Sequence, residues 1–552
     1  MLRFFKHGAV FTFLGLLLLA QAIPALAEEG VRGNLVDVGW LAKNLNNSDV
    51  VILDASPETY AKQHIPGAVG VNIYDLFAYG FGGISDAKVE QYFQSWGIGR
   101  EKKVVIYDKG GDQLATRLFF DLDYHGIPEK NLFILDGGLF KWQQQSLPVT
   151  KDISPGPKNG SFKVTKLKDD LRGGLPEVLT ASGDTTHNAL VEGLDPNWHF
   201  GAVAPFDRAG HIPNGIMAPS EDFYNPDKTF KSPEEIKKML AYLGVRPDQQ
   251  IYTYCGGGVA ATVPFFAAKF LADYPKVKLY PESELGWLSD QRQLPYWTFD
   301  APYLMRETGW LQFWSGQMIR RFLGAPVSIV DVRPAEAFNE GHIPFALNIA
   351  GDVFKSNVAN PAKLAQILGP AGVNASDEAV VVSGSGLTKE SALAFVMLEK
   401  LGQAKVTLFM DSMDTWTKQG QKLKKDATVV APKKGPHDLS IPPTSYPENF
   451  RKEIVITDPK STHGAYPKVY IASGKEIPAK NQDGKVVHVA YTDLLNADGT
   501  PKAAKDIWNV LAKAGVPRYA ELVCFSDDPG EAAVNYFILK LMGFPDIKVL
   551  VT

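Results

Sequence analysis

Cysteine is almost absent from this chain: 552 residues hold only Cys255 and Cys524. No Cys-x-x-Cys pair, haem-attachment signature or zinc-ligand spacing can be built from them. A disulfide framework is excluded as the source of stability, and a bond between these two is not favoured, because they fall in similar strand-to-loop contexts of separate regions. Excess basic charge is also lacking. Lys and Arg total 57 against 61 Asp and Glu, a formal charge of −4, so no nucleic-acid surface is expected. Beyond the N-terminus, no run is long and apolar enough to cross a bilayer. What remains is ordinary globular composition, 45% hydrophobic and 21% charged. The length is too great for one core and predicts three to five domains.

The N-terminus departs from this composition. Arg3, Lys6 and His7 precede an apolar run from Ala9 to Ala20, and Ala25-Leu26-Ala27 closes the segment. This reads as a secretory signal peptide over 1–27, cut after Ala27, since the apolar run is short for a membrane span. No cysteine stands near the cut to carry a lipid. The expectation is a periplasmic or secreted protein with no stable membrane anchor after cleavage. Export normally pairs thiols, so an exported thiol left free is exposed to oxidation.

One of the two cysteines sits in a distinctive stretch, Tyr252-Thr253-Tyr254-Cys255-Gly256-Gly257-Gly258-Val259-Ala260-Ala261. An apolar, β-like run stops at the cysteine, three glycines follow, and small residues start a helix near Val259. Free N–H groups and the helix dipole favour an anion at such a junction. Cys255 is therefore either a nucleophile in a cradle of amides or a buried structural cysteine beside a turn.

The surrounding pattern recurs. Strands alternate with helices, which predicts parallel sheets covered on both faces. Val50–Asp54 is a strand, Gln63-His64-Ile65-Pro66-Gly67 a turn, Lys103–Tyr107 a strand, and Asp108–Asp112 a loop before a helix over Leu114–Leu122. Leu135-Asp136-Gly137-Gly138 and Trp142 close the unit. Gly210-His211-Ile212-Pro213, Cys255-Gly256-Gly257-Gly258 and Trp287 repeat the order, and the 44-residue step from His64 to Asp108 equals that from His211 to Cys255. A third copy carries Asp331-Val332-Arg333, His342-Ile343-Pro344, Ser383-Gly384-Ser385-Gly386 and Trp416. A fourth, weaker copy carries Glu476-Ile477-Pro478-Ala479 and Cys524-Phe525-Ser526-Asp527-Asp528. Repeats of this length are domains. Residues 151–160 and 431–447 read as linkers, and the aromatic-rich stretch from Tyr296 to Leu323 as packing between domains.

Asp-x-Arg, then His-Ile-Pro, then strand-Cys-Gly-x-Gly-helix, then Leu-Asp-Gly-Gly with a following Trp, resembles the rhodanese (thiosulfate sulfurtransferase) superfamily. The resemblance implies an α/β fold of four tandem rhodanese-like domains, each a central parallel sheet flanked by helices: 32–150, 177–300, 301–430 and a divergent 445–552. It also implies that the loop cysteine, Cys255, accepts sulfur, cradled by Gly256, Gly257, Gly258, Val259 and Ala260. Asp108, Ser383 and Ser526 stand at the matching places and cannot carry a sulfane sulfur. Cys524 falls inside a strand by this match, and Asp527 and Asp528 would repel an anion beside Ser526.

The implied activity is that of a sulfurtransferase: sulfane sulfur passes from a thiosulfate- or polysulfide-type donor, through a Cys255 persulfide, to a thiol or cyanide acceptor. Small sulfur donors and thiol acceptors are then the expected partners, with an envelope protein as a further one. No cofactor and no metal are expected. Two departures bear on the donor. The loop has no Lys or Arg, and the Asp-x-Arg position of the second copy reads Glu192-Gly193-Leu194. Arg208, or a basic residue of a neighbouring domain, would have to substitute, and a less charged donor than thiosulfate is favoured. The alternatives are a non-catalytic scaffold or binding protein of the cell envelope, and a redox site handling sulfur or selenium species. His64, His211 and His342 read as turn histidines with no ligand cluster around them, the three tryptophans as packing residues, and Asp54, Asp331 and Arg333 as structural pairs.

Overall fold

The computed structural model describes residues 29–76, 83–153, 160–447, 450–477 and 484–551. The expected signal peptide, part of the first linker, and Pro478 and Ala479 lie outside the described residues. Among the described residues no helix is long and apolar enough to cross a membrane.

Four separate sheets follow one another along the chain. Each is built around a pair of adjacent parallel strands. In the first, Val50–Asp54 pairs with Lys103–Tyr107; in the second, Asn188–Glu192 with Gln250–Tyr254. In the third, Val327–Asp331 pairs with Glu378–Val382; in the fourth, Lys468–Ala472 with Glu521–Phe525. All strand pairs within these sheets are parallel except the hairpin of Val31–Arg32 with Leu35–Val36. These central strands are β-branched and aromatic runs, buried on both faces, as parallel strands under helices must be. The second sheet takes in chain from Arg172, which bridges Leu279, and residue 177 falls inside the helix Leu175–Gly183.

The units associate in pairs. The helix Leu114–Tyr124 of the first packs on Thr262–Phe266 of the second, where Phe119 meets Phe266 and Phe120 meets Phe265 edge to face at 4.9 and 5.2 Å. The Thr116 and Thr262 hydroxyls hydrogen-bond across the seam at 2.8 Å. The third and fourth units repeat this with Lys389–Lys400 against Pro529–Leu541, where Phe395 meets Phe537 at 5.1 Å and Glu399 accepts from Tyr536 and Lys540. One apolar core runs through each pair.

The pairs touch through the second and fourth units. Tyr242 donates to Ala520 O at 2.8 Å, Tyr519 to Asp222 at 2.6 Å, and Phe200 stacks on Trp508. Part of the aromatic stretch lies at this junction, where Ala301 N donates to Leu541 O. Its later part forms the helices Thr308–Trp314 and Gln317–Phe322, which bury Leu311 and leave Phe313, Met318, Phe322 and Leu323 exposed. Trp142, Trp287 and Trp416 are fully buried, each donating its indole N–H to a nearby carbonyl.

Candidate active site

Cys255 is the first residue after the strand Gln250–Tyr254. Asp108, Ser383 and Ser526 likewise directly follow Lys103–Tyr107, Glu378–Val382 and Glu521–Phe525. The four positions named in the sequence are equivalent in the fold. Cys524 is elsewhere: it lies within its strand, in register with Ile471 and Val549, fully buried in the core of the second pair. Burial pushes its thiol well above the ordinary range. Both cysteines are free.

The Cys255 loop turns through Gly258, whose φ of +80° a side chain would resist. A Cβ there would also lie 2.3 Å from Pro281 O. This turn brings the Gly258 N–H to 3.1 Å from Sγ. The Cys255 N–H donates to Ser283 Oγ at 3.0 Å, and Ser283 Oγ lies 4.0 Å from Sγ. Among the described residues, the N–H groups of Gly256, Gly257, Val259 and Ala260 meet no acceptor. Backbone donors are therefore available beside the sulfur, as an anion needs. The helix begins at Thr262, three residues later than the sequence suggested, because the glycine turn consumes Val259–Ala261. Pro264 occupies its third position, where the missing N–H costs nothing.

The first unit shows what such a loop holds. Asp108 accepts from Gly110 N at 2.8 Å and Ala115 N at 3.0 Å, so a carboxylate takes up the amides. That loop is sealed by the second unit: Tyr224 donates to Asp112 O, Phe230 N to Asp136, and Lys228 lies against Gly111. The third unit's loop is sealed in the same way by the turn at Gly499, whose carbonyl accepts from Leu387 N. There Ser383 donates to Gly386 O. In the fourth unit Ser526 donates to Glu531, and Asp528 caps the helix while pairing with Lys389 and Lys355. Over the Cys255 loop lie Phe206 and Trp198, against Gly256, and Leu285, against Gly257, which is exposed.

No cation faces the sulfur from the places the sequence named. Leu194 stands where the motif arginine would be and packs into the core. In the third unit that arginine, Arg333, pairs with Asp331 at 2.7 Å and lies against Gly384. Asp54 has no such arginine; its carboxylate accepts from Ser56 N, and burial raises its pKa to about 6. Arg208 donates to Leu294 O at 2.7 Å and covers the Tyr296 ring, so it does not reach Sγ directly. From the neighbouring unit, Arg117 donates to Gly258 O at 2.7 Å and is paired with Asp121. Nothing local in the sequence marks Arg117, because the seam between units alone brings it there.

The expectation for the turn histidines holds in two units and fails in one. His64 and His342 are buried, stack on Tyr60 and Phe338, and hydrogen-bond backbone carbonyls. His211 has a cluster around it after all. It stacks on His199 at 3.7 Å, and both histidines approach Asp300. His199 stands 12 residues before His211 and Asp300 lies 101 residues beyond His199, which matches no familiar ligand spacing.

Comparison with known proteins follows the same lines. A family model described as "Rhodanese-like domain" matches residues 37–145 and 317–419, within the first and third units. The chain is 31% identical over 278 residues to a "Putative thiosulfate sulfurtransferase" of Synechococcus elongatus, covering 47% of this chain and 84% of that protein. It is 30% identical over 281 residues to a "Probable 3-mercaptopyruvate sulfurtransferase" of Pseudomonas aeruginosa, covering 47% of this chain and 96% of that one. It is 28% identical over 269 residues to a "Sulfur carrier protein" of Thermus thermophilus, covering 46% and 93%. Among solved structures, a 3-mercaptopyruvate sulfotransferase of Escherichia coli superposes with a TM-score of 0.42 at 24% identity, over 46% of this chain and 99% of that one. Parallel sheets under helices, repeated along the chain, and these sequence relatives lead to one conclusion: the chain belongs to the rhodanese family of sulfurtransferases.

Proposed function

We propose that this protein is an exported sulfurtransferase of four rhodanese-like units in which Cys255 alone carries the sulfur. The observation that carries this reading is the Gly258 N–H aimed at Sγ from 3.1 Å in a loop with further free amides. A thiolate attacks the outer sulfur of a donor, the donor's remainder leaves, and the persulfide anion is held by the same N–H groups. The equivalent loop of the first unit aims two amides at the Asp108 carboxyl, which supports backbone donors at this place, while burial raises that carboxyl's pKa to about 6. The seals over the first and third loops support a packing role for those units.

The donor carries little charge on this reading. The loop is covered by Phe206, Trp198 and Leu285, and buried carboxyls, Glu192 and Glu284, stand behind it. A polysulfide or organic persulfide suits that setting better than a thiosulfate dianion. The acceptor is a thiol or cyanide. The N-terminal segment supports delivery to the periplasm or beyond.

Intact-mass analysis after exposure to polysulfide and to thiosulfate tests the proposal. One added sulfur, removable by cyanide and absent from Cys255→Ser, is expected, with polysulfide the faster donor. The burial of Cys255, 2% exposed, suits a non-catalytic scaffold. That reading stands if no donor loads the protein and Cys255 resists alkylation.

A further inference from the structure

The third unit turns apolar side chains outward where a surface helix normally turns them in. Its helices Thr308–Trp314 and Gln317–Phe322 are joined at Ser315 and Gly316, whose N–H groups donate to Leu311 O and Phe313 O. On the inner side Leu311 enters the core. Arg320 donates to Trp314 O at 2.9 Å and Val327 O at 3.1 Å while covering the Phe345 ring, which pins the second helix. The free side of that helix carries Met318, Arg321 and Phe322, at i, i+3 and i+4, and Leu323 follows. Met318, Phe322 and Leu323 are 67%, 58% and 75% exposed, and Phe313 near the turn is exposed as well. Trp310 and Trp314 are half-buried beside them, with Trp314 edge to face on Phe313 at 5.1 Å.

A basic segment runs alongside. Residues 418–434 hold six lysines and one aspartate, in a chain whose acidic residues outnumber its basic ones. Gln317 shares a depression of about 320 Å³ with Lys424 and Val429, and Arg320 shares a smaller one with Lys433. The His437 ring lies 5.1 Å from that of Phe322, and His437 Nδ1 is 3.3 Å from Arg321 O. Lys424, Lys425, Lys433, Lys434 and Arg321 are exposed, and among the described residues none of them is in an ion pair. Val429, between the two lysine pairs, is exposed too.

Single exposed apolar residues are ordinary, but several from one helical hairpin, with another on the segment beside it, make a patch that something covers. The lysines decide what covers it. A strongly hydrated ammonium is depleted from the cores of protein interfaces, where it would have to shed its water. At a bilayer it stays in water among phosphates while aromatic and aliphatic tips enter the acyl boundary. Half-buried tryptophans suit the headgroup level.

We propose that this face of the third unit docks on an anionic lipid bilayer. Met318, Phe322 and Leu323 enter the headgroup region, and Arg321, Lys424, Lys433 and Lys434 meet its phosphates. Docking is reversible, because only a few side chains insert and no helix among the described residues crosses. It places the protein's chemistry at a membrane surface and needs nothing from Cys255, so its failure leaves the sulfurtransferase reading intact.

Vesicle co-sedimentation tests this with the chain from Glu28, so that the apolar N-terminal run cannot itself bind lipid; all four sheets lie beyond that point. Vesicles of phosphatidylcholine alone are compared with vesicles holding about one-third phosphatidylglycerol. Binding is expected to the anionic vesicles only, falling about tenfold or more between roughly 0.1 and 0.5 M salt. Two triple variants, Met318→Ser with Phe322→Ser and Leu323→Ser, and Lys424→Gln with Lys433→Gln and Lys434→Gln, should each bind about tenfold or more weakly. Circular dichroism confirms their fold. If the apolar variant does not fold, Leu323→Ser, at the most exposed of the three, decides with the lysine variant. The proposal is overturned if the wild type ignores anionic vesicles, binds neutral ones equally, or is matched by either variant. Self-association without lipid that the apolar variant abolishes would assign the face to a second copy. Binding to polyaspartate but not to vesicles would assign it to an acidic protein.

Discussion

Replacing Gly258 by alanine separates the cradle argument from a mere structural turn. At φ +80° an alanine costs about 1–2 kcal/mol of left-handed strain. Its Cβ would stand 2.3 Å from Pro281 O and 2.9 Å from Pro281 Cα, backbone atoms that cannot rotate away. The loop must shift, and the N–H now 3.1 Å from Sγ moves with it. A hydrogen bond to a charged acceptor contributes about 1.5–3 kcal/mol. With each ~1.4 kcal/mol worth tenfold in rate, sulfur loading should fall roughly ten- to a hundredfold. Gly257→Ala is the matched control. Gly257 does not have a positive φ, it is exposed, and the atom nearest its Cβ would be Leu285 Cδ1 at 3.6 Å. It should load at the wild-type rate. Loading is followed by intact mass against time, with circular dichroism to confirm the fold. The reasoning is refuted if folded Gly258→Ala loads normally, or if Gly257→Ala is equally slow.

Three other outcomes are expected. Cys524→Ser places a hydroxyl among Ile471, Val549 and the second pair's core, and should cost about 1–3 kcal/mol in denaturant unfolding while leaving sulfur uptake intact; loss of uptake would give Cys524 a chemical role. Asp108→Cys in a Cys255→Ser background should take up no sulfur by intact mass, because Tyr224, Lys228 and Phe230 seal that loop; a gain of one sulfur would show that the seal opens. The stacked histidines should shape stability against pH from both sides. His199, raised to about 10, contributes stability fully below about pH 6.5 that is lost as pH rises toward 10. His211, lowered to about 4, contributes stability above about pH 6.5 that is lost as pH falls toward 4. Thermal melts across pH should show His199→Gln flattening the alkaline limb and His211→Gln the acid limb; unchanged limbs would refute the assignment.

Much of the fold was legible because its signals are local. Val50–Asp54 and Lys103–Tyr107 are strands over the residues read, and the helix predicted over Leu114–Leu122 runs to Tyr124. Apolar runs ended by Gly-rich turns carry that information within a few residues. The site was legible in part. The loop positions Asp108, Cys255, Ser383 and Ser526 could be aligned because each directly ends a strand. Arg208 could not be placed, since its partners Leu294 and Tyr296 come from chain more than eighty residues away.

The sequence by itself determined the repeated α/β order, the scarcity of thiols and the one cysteine at a loop position. Each of these is a matter of residue type and spacing. Only the tertiary structure decided which units pair, that the second unit seals the Asp108 loop, and that Arg117 reaches Gly258. It alone brought His199 to Asp300, 101 residues apart. Those contacts form between elements that are remote in the chain, and they depend on how sheets and helices stack around two shared cores, which no local pattern encodes.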